Sequence, residues 1–140
     1  MLSKLTSKSN FKIDPFDKNE VKAILDTTHH EQIRSLVQFA FFTGLRTPEL
    51  IALEWEDVDL AHGIINVVRA LVKKQIKGTK TIAGKRVFHN PRTNQPWETD
   101  HQIRRTAWIH TIKRAGIRYR NPYQTRHTYT KWGMLILKWL

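Results

Sequence analysis

Two arginines stand in settings suited to holding a phosphate. The first is Arg46, in the run Thr43-Gly44-Leu45-Arg46-Thr47-Pro48-Glu49-Leu50. Gly44 can end one helix and Pro48 suits the first turn of the next, which puts Arg46 at a helix start. Unpaired N–H groups and the positive end of the dipole favour an anion there, and a planar guanidinium can grip two phosphate oxygens at once. Glu49 reads as a partner that orients arginines, not as a base. The second arginine is Arg126, in the run Arg118-Tyr119-Arg120-Asn121-Pro122-Tyr123-Gln124-Thr125-Arg126-His127-Thr128. Tyr123 can hydrogen-bond a phosphate oxygen, but a phenol, with a pKa of ~10 in water, is a poor proton acceptor at neutral pH. Between the two runs lies a basic segment carrying Lys73, Lys74, Lys77, Lys80, Lys85 and Arg86. The seven histidines show no metal-ligand spacing and there is no cysteine, so neither a metal nor a cofactor is expected.

The charge balance points to the same class of partner. Lys and Arg number 24 against 12 Asp and Glu, a formal net charge of +12. Of those 24 cations 17 follow Leu60, where only two of the 12 acidic residues fall, so the basic surface should come from the second half. Such an excess displaces counterions from a polyanion, and nucleic acid is the expected partner. A basic RNA-binding protein would share this composition. A length of 140 residues suggests one domain. The absence of cysteine, of a membrane-length apolar run and of a signal-peptide stretch leads us to expect a cytoplasmic protein with no membrane partner.

The elements that must position these residues are mostly helices. Asp17 and Glu20 form a capping-box pair ahead of Val21, Ile24 and Leu25. A second helix from about His30 carries Ile33, Leu36, Val37, Ala40 and Phe41 at helical spacing and stops at Gly44. A third starts at Thr47 with Leu50, Ile51 and Leu53. Ile64 to Val68 reads as a strand, and Lys73–Thr81 and Arg86–Phe88 as two more joined at Ala83-Gly84-Lys85. Asn90 to Pro96 reads as a loop. Thr99 caps a helix with Ile103, Ala107, Trp108, Thr111, Ile112 and Ala115, ended by Gly116. A last helix after Pro122 places Tyr129, Trp132, Gly133, Ile136 and Leu137 on one face. The fold class is α+β, mainly helical with a small antiparallel sheet or hairpin; residues 1–13 read as a flexible leader and 14–140 as the domain.

The first run, with Trp55-Glu56-Asp57-Val58-Asp59 after it, resembles the T-G-x-R-x-x-E-L and W-x-D-[IV]-D boxes of phage-type tyrosine recombinases, the integrases. The second resembles that family's H-x-x-R-H-[TS] box, with Tyr123 in the place of the first histidine. The resemblance implies a recombinase catalytic domain in which Arg46 and Arg126 address the scissile phosphate and no metal is needed. It further implies a hairpin lysine that protonates the leaving 5′ oxygen. Lys80 is the candidate, its proton made easier to give by neighbours such as Lys77 and Lys85. Lys73, Lys74, Lys77, Lys85 and Arg86 are expected to grip the backbone of double-stranded DNA, and a hairpin that does nothing more than grip it is the alternative reading of Lys80. Family members carry a nucleophilic tyrosine on a later helix, and Tyr119, Tyr123 and Tyr129 do not occupy its place. The join from Arg86 to Val87 looks abrupt, as if a helix had been deleted. The expected function is therefore a DNA-binding integrase fragment, cut short and unable to cleave DNA alone. Two other readings stay open: a subunit that receives its tyrosine from another recombinase protomer, and a non-catalytic basic DNA-binding or regulatory module. The apolar tail from Trp132 to Trp139 should pack back on the domain, associate with another chain or stay exposed.

Overall fold

A computed structural model of the chain describes residues 12–68 and 85–139. Its elements are α1 (Lys18–Thr27), α2 (Glu31–Thr43), α3 (Thr47–Ala52), a 3-10 turn (Trp55–Asp57), strands β1 (Val58–Asp59) and β2 (Ile64–Ile65), then β3 (His89–Asn90) and β4 (Gln95–Pro96). A continuous helix follows, made of α4 (Asp100–Ile103), a π-helical segment (Arg104–Trp108) and α5 (Ile109–Ala115). The chain continues through α6 (Gln124–Trp132) into a 3-10 segment (Gly133–Trp139). The α+β expectation holds: helices dominate, and the strands form two small antiparallel pairs, β1 with β2 and β3 with β4. No helix among the described residues is long and apolar enough to cross a membrane.

The helical periodicities translate directly into burial. Asp17 accepts from the Glu20 amide at 2.8 Å and Glu20 accepts from the Asp17 amide at 3.1 Å, closing the capping box. Val21, Ile24 and Leu25 are buried behind it, as are Ile33, Leu36, Val37, Ala40 and Phe41 of α2. Gly44 ends α2 in the left-handed region, with φ 68°. Thr99 caps α4 through the Gln102 amide, and Ile103, Ala107, Trp108, Thr111 and Ile112 face the core. In space α1 lies on α5 and α2 on α6.

Four local expectations change. The strand at Ile64 ends at Ile65, and Val68 is exposed. The expected Asn90–Pro96 loop is partly strand: Asn90 pairs with Gln95 and His89 with Pro96, and residues 91–94 form the turn of the β3–β4 hairpin. Asn94 there adopts φ 56°, and its amide reaches the Asn90 carbonyl at 2.8 Å. Two-residue strands are too short to show alternation, so only the turn chemistry was visible. Arg86 makes an isolated bridge to Glu54 instead of entering a strand. The last helix breaks at Gly133 (φ 56°, ψ −135°), which carries Leu137 onto the surface while Ile136 stays fully buried. The tail still folds back, with Trp139 edge-on to Trp132 at 5.4 Å between ring centroids. The expected strand Lys73–Thr81 lies outside the described residues.

An extended strap ahead of α1 closes the core. Phe16 is wholly buried, edge-on to Phe41 and Trp108. It precedes the cap residue, so Phe16 and the equally buried Val21 occupy the positions of a hydrophobic staple. Side chains of α6 supply the strap's backbone partners. Gln124 accepts from the Asp14 amide at 2.8 Å and donates to the Lys12 carbonyl at 3.0 Å, and Thr128 accepts from the Phe16 amide at 2.9 Å. Trp132 donates to the Phe16 carbonyl at 3.1 Å. Lys12 and Ile13, assigned to the leader from sequence, thus adjoin or join this strap. The Arg120 guanidinium lies 4.6 Å from the Phe16 ring centroid and pairs with Glu20 at 2.6 Å and Asp14 at 3.2 Å.

Phe16→Ala should lower unfolding stability by about 3–5 kcal/mol, read from urea denaturation. The strap also carries a pH signature. The Arg118 guanidinium, hydrogen-bonded to Asp14 at 2.6 Å, with Arg120 beside it and burial opposing, lowers the Asp14 carboxyl from 3.8 to about 2. A depressed carboxylate stabilises the fold above its unfolded value and loses that contribution as pH falls from about 4 toward 2. Because the Asp14 side chain is 34% exposed, the effect should stay within the about 0–1 kcal/mol of a solvent-screened pair. Asp14→Asn should flatten the stability profile over that window in an acid titration followed by circular dichroism.

Candidate functional site

Arg46 sits where α2 hands over to α3. Its backbone amide donates to Glu49 Oε1 at 2.8 Å, and its carbonyl accepts from the Glu49 and Leu50 amides at 2.9 Å. Glu49 therefore holds the Arg46 backbone at the start of α3. The Arg46 residue is exposed, and its guanidinium carbon lies 6.0 Å from the Tyr123 ring centroid, within reach of a cation–π contact. Since α3 is only six residues long, its dipole adds little, and the anion-holding capacity rests on the guanidinium itself.

Arg126 arrives from α6. Its Nη1 donates to the Gly44 carbonyl at 3.0 Å, two residues before Arg46. One side of the Arg126 fork is thereby anchored to the backbone that carries Arg46. The helices meet closely at this point: a Cβ on Gly44 would lie 2.5 Å from Cδ1 of Tyr129. Gly44 is thus needed twice, for its left-handed φ and for this approach. Tyr123, just before α6, also stacks edge-on to His127 at 4.9 Å. Arg46, Tyr123 and Arg126 are therefore brought together from two runs nearly eighty residues apart.

The floor beside them is a cleft of about 240 Å³ lined by Thr47, Pro48, Asp100, Arg104, Asn121, Pro122 and Tyr123. Arg104 was missed from the sequence; its guanidinium hydrogen-bonds His101 Nδ1 and it opens the π-helical segment. No sequence signal marks a π segment, although Arg104's place on the polar face of the helix was legible. Asp100 contributes a carboxylate to the same cleft, which disfavours an anion at that end.

The basic segment fares differently. Lys73, Lys74, Lys77 and Lys80 lie outside the described residues. Lys85 is exposed. Arg86, expected among the DNA-contacting cations, is buried at 2% exposure, its Nη1 donating to the Ile51 carbonyl at 2.6 Å. Its charge is used inside the fold, tying α3 to the chain that returns toward β3. The other two tyrosines do not line the cleft of about 240 Å³. Tyr129 packs its ring over Gly44, and Tyr119 is exposed beside a different, largely apolar cleft of about 660 Å³ with Ile109, Ile112 and Ile117.

Residues 15–132 match the phage integrase family. The chain belongs to that family. It is 32% identical to the prophage integrase IntR of Escherichia coli (strain K12) over 92% of this chain and 43% of that protein. It is 27% identical to the integrase of Salmonella phage P22 over 92% of this chain and 39% of that one. A shorter match, 34% identity over 42% of this chain and 15% of the relative, is to a tyrosine recombinase XerC-like protein of Caldanaerobacter subterraneus. The chain therefore spans less than half the length of these relatives. The alignment with IntR runs over 177 positions while taking in 92% of 140 residues, so IntR carries residues within the matched span that this chain lacks. No solved structure matches the chain significantly.

Gly44→Ala should cost about 1–3 kcal/mol from backbone strain, with a further loss from displacing Tyr129. In Gly44→Ala/Tyr129→Ala the φ strain remains while the clash disappears. A thermodynamic cycle by chemical denaturation should therefore show coupling between the two positions.

Proposed function

We propose that this integrase-family chain binds duplex DNA by holding one backbone phosphate between Arg46 and Arg126. Support comes chiefly from the Arg126 Nη1 bond to the Gly44 carbonyl, which holds the second-run arginine beside the first-run one. Guanidinium groups carried by backbones tied together in this way can make charge-assisted contacts to one phosphate. Tyr123 lies under Arg46 and can donate its hydroxyl hydrogen to a phosphate oxygen. In strand cleavage the same pair would stabilise the charge that builds on pentacovalent phosphorus. Lys80 would give its proton to the leaving 5′ oxygen while the tyrosine–phosphate bond forms and the phosphorus–oxygen bond to the 5′ side breaks. The tyrosine for that step is none of Tyr119, Tyr123 and Tyr129, so these 140 residues bind DNA and leave cleavage to a tyrosine from elsewhere, such as another recombinase protomer.

Duplex binding by the chain should weaken steeply with salt. The Arg46→Ala/Arg126→Ala variant should lose most of the affinity, and its log–log salt slope should shrink by about one per lost phosphate contact. Full affinity in that variant would instead favour a basic module that grips DNA elsewhere. On a suicide substrate the chain alone should form no covalent protein–DNA adduct; an adduct would overturn the assignment of the three tyrosines.

A further inference from the structure

A third cleft, of about 380 Å³, opens on the side of α5 opposite the apolar one. Ile109, Ile112 and Lys113 line the apolar cleft on one face of that helix, while His110, Thr111 and Arg114 line this one. The remaining wall includes His30 ahead of α2, Arg92 in the β3–β4 turn and the buried Trp97. No aspartate or glutamate contributes to it.

Several observations give it the character of an anion site. Among the described residues neither Arg92 nor Arg114 is in an ion pair, and both are exposed at the rim. Trp97 is 2% exposed, yet its Nε1–H has no hydrogen-bond partner. A buried indole N–H normally finds an acceptor, so an unmatched one in the wall marks a place for one. Further donors come from α2, a thirteen-residue helix whose cap residue, His30, makes no side-chain hydrogen bond to the first turn. The start of that helix, with its positive dipole end, borders the cleft through His30 and Ile33. Glu31 shares that first turn, but it is exposed and not part of the wall. Two unpaired guanidiniums, an unmatched buried donor and an uncapped helix start all call for oxygen acceptors carrying negative charge. The volume leaves room for a phosphate with a group attached.

We propose that this cleft is a second phosphoryl-binding site, separate from the Arg46–Arg126 face and independent of the function assigned to that face. The phosphoryl oxygens would be held by Arg92 and Arg114, with the α2 amides and the Trp97 N–H completing the donor set.

Titration of the purified chain with inorganic phosphate and with adenosine monophosphate, read by tryptophan fluorescence and by Tm, tests this. At least one probe should bind saturably. In the Arg46→Ala/Arg126→Ala background, which removes the other phosphate face, saturable binding should persist, and adding Arg92→Gln/Arg114→Gln should weaken it about tenfold or more. Trp97→Phe should weaken it as well; if that variant fails to fold, the two exposed arginines still decide. A short duplex separates the sources of the phosphoryl group. Loss of duplex affinity in Arg92→Gln/Arg114→Gln would assign the site to a DNA backbone, and unchanged duplex affinity would assign it to a free phosphorylated ligand. The proposal is overturned if neither probe binds saturably to Arg46→Ala/Arg126→Ala, or if the binding there survives the added Arg92→Gln/Arg114→Gln.

Discussion

The closest constraint in this molecule is the approach of α6 to the end of α2. The Gly44 backbone lies directly against the Tyr129 ring, and its carbonyl accepts the Arg126 guanidinium. Any side chain at position 44 would meet that ring, so the two helices are set at a distance that only glycine permits. The contact also fixes chemistry. Gly44 is two residues from Arg46, and Tyr129 one turn from Arg126, so packing at this point sets the spacing of both arginines. Glu49 completes the arrangement by holding the Arg46 amide.

The second dependency runs through the strap. In α6 the buried side chains of Gln124, Thr125 and Thr128 are polar, an unusual core face for a helix. Two of them are buried because they serve the backbone of an extended segment more than a hundred residues earlier, which has no strand to pair with. Unpaired backbone groups inside a protein cost more than the entropy of ordering two short side chains, so the polar face is the stable solution. Phe16 then fills the space between α2 and the π-helical segment, against Phe41 and Trp108. Through these contacts the chain start holds the helix that delivers Arg126.

Charge is divided between structure and surface in a way that composition cannot reveal. Arg86 and Arg120 are consumed by the fold, one against the Ile51 carbonyl and the other between Asp14, Glu20 and the Phe16 ring. Arg46, Arg92 and Arg114 remain exposed. A net charge of +12 is thus no measure of how many cations a phosphate backbone meets.

What the sequence determined by itself is local: the capping box at Asp17, the apolar stripes of α1, α2 and the Asp100–Ala115 helix, the Gly44 and Gly116 stops, and the two arginine runs. Each depends on residues within a few positions of one another, and helical periodicity or cap chemistry makes it visible. The family was legible as a resemblance of those runs to its boxes. Tertiary structure alone decided which arginines face solvent, that Phe16 belongs to the core, that Gln124 and Thr128 carry the strap, and that α6 stops at Gly133. These outcomes arise from contacts across a hundred residues, where no periodicity carries information and the partner of a polar side chain is set by what lies opposite in space.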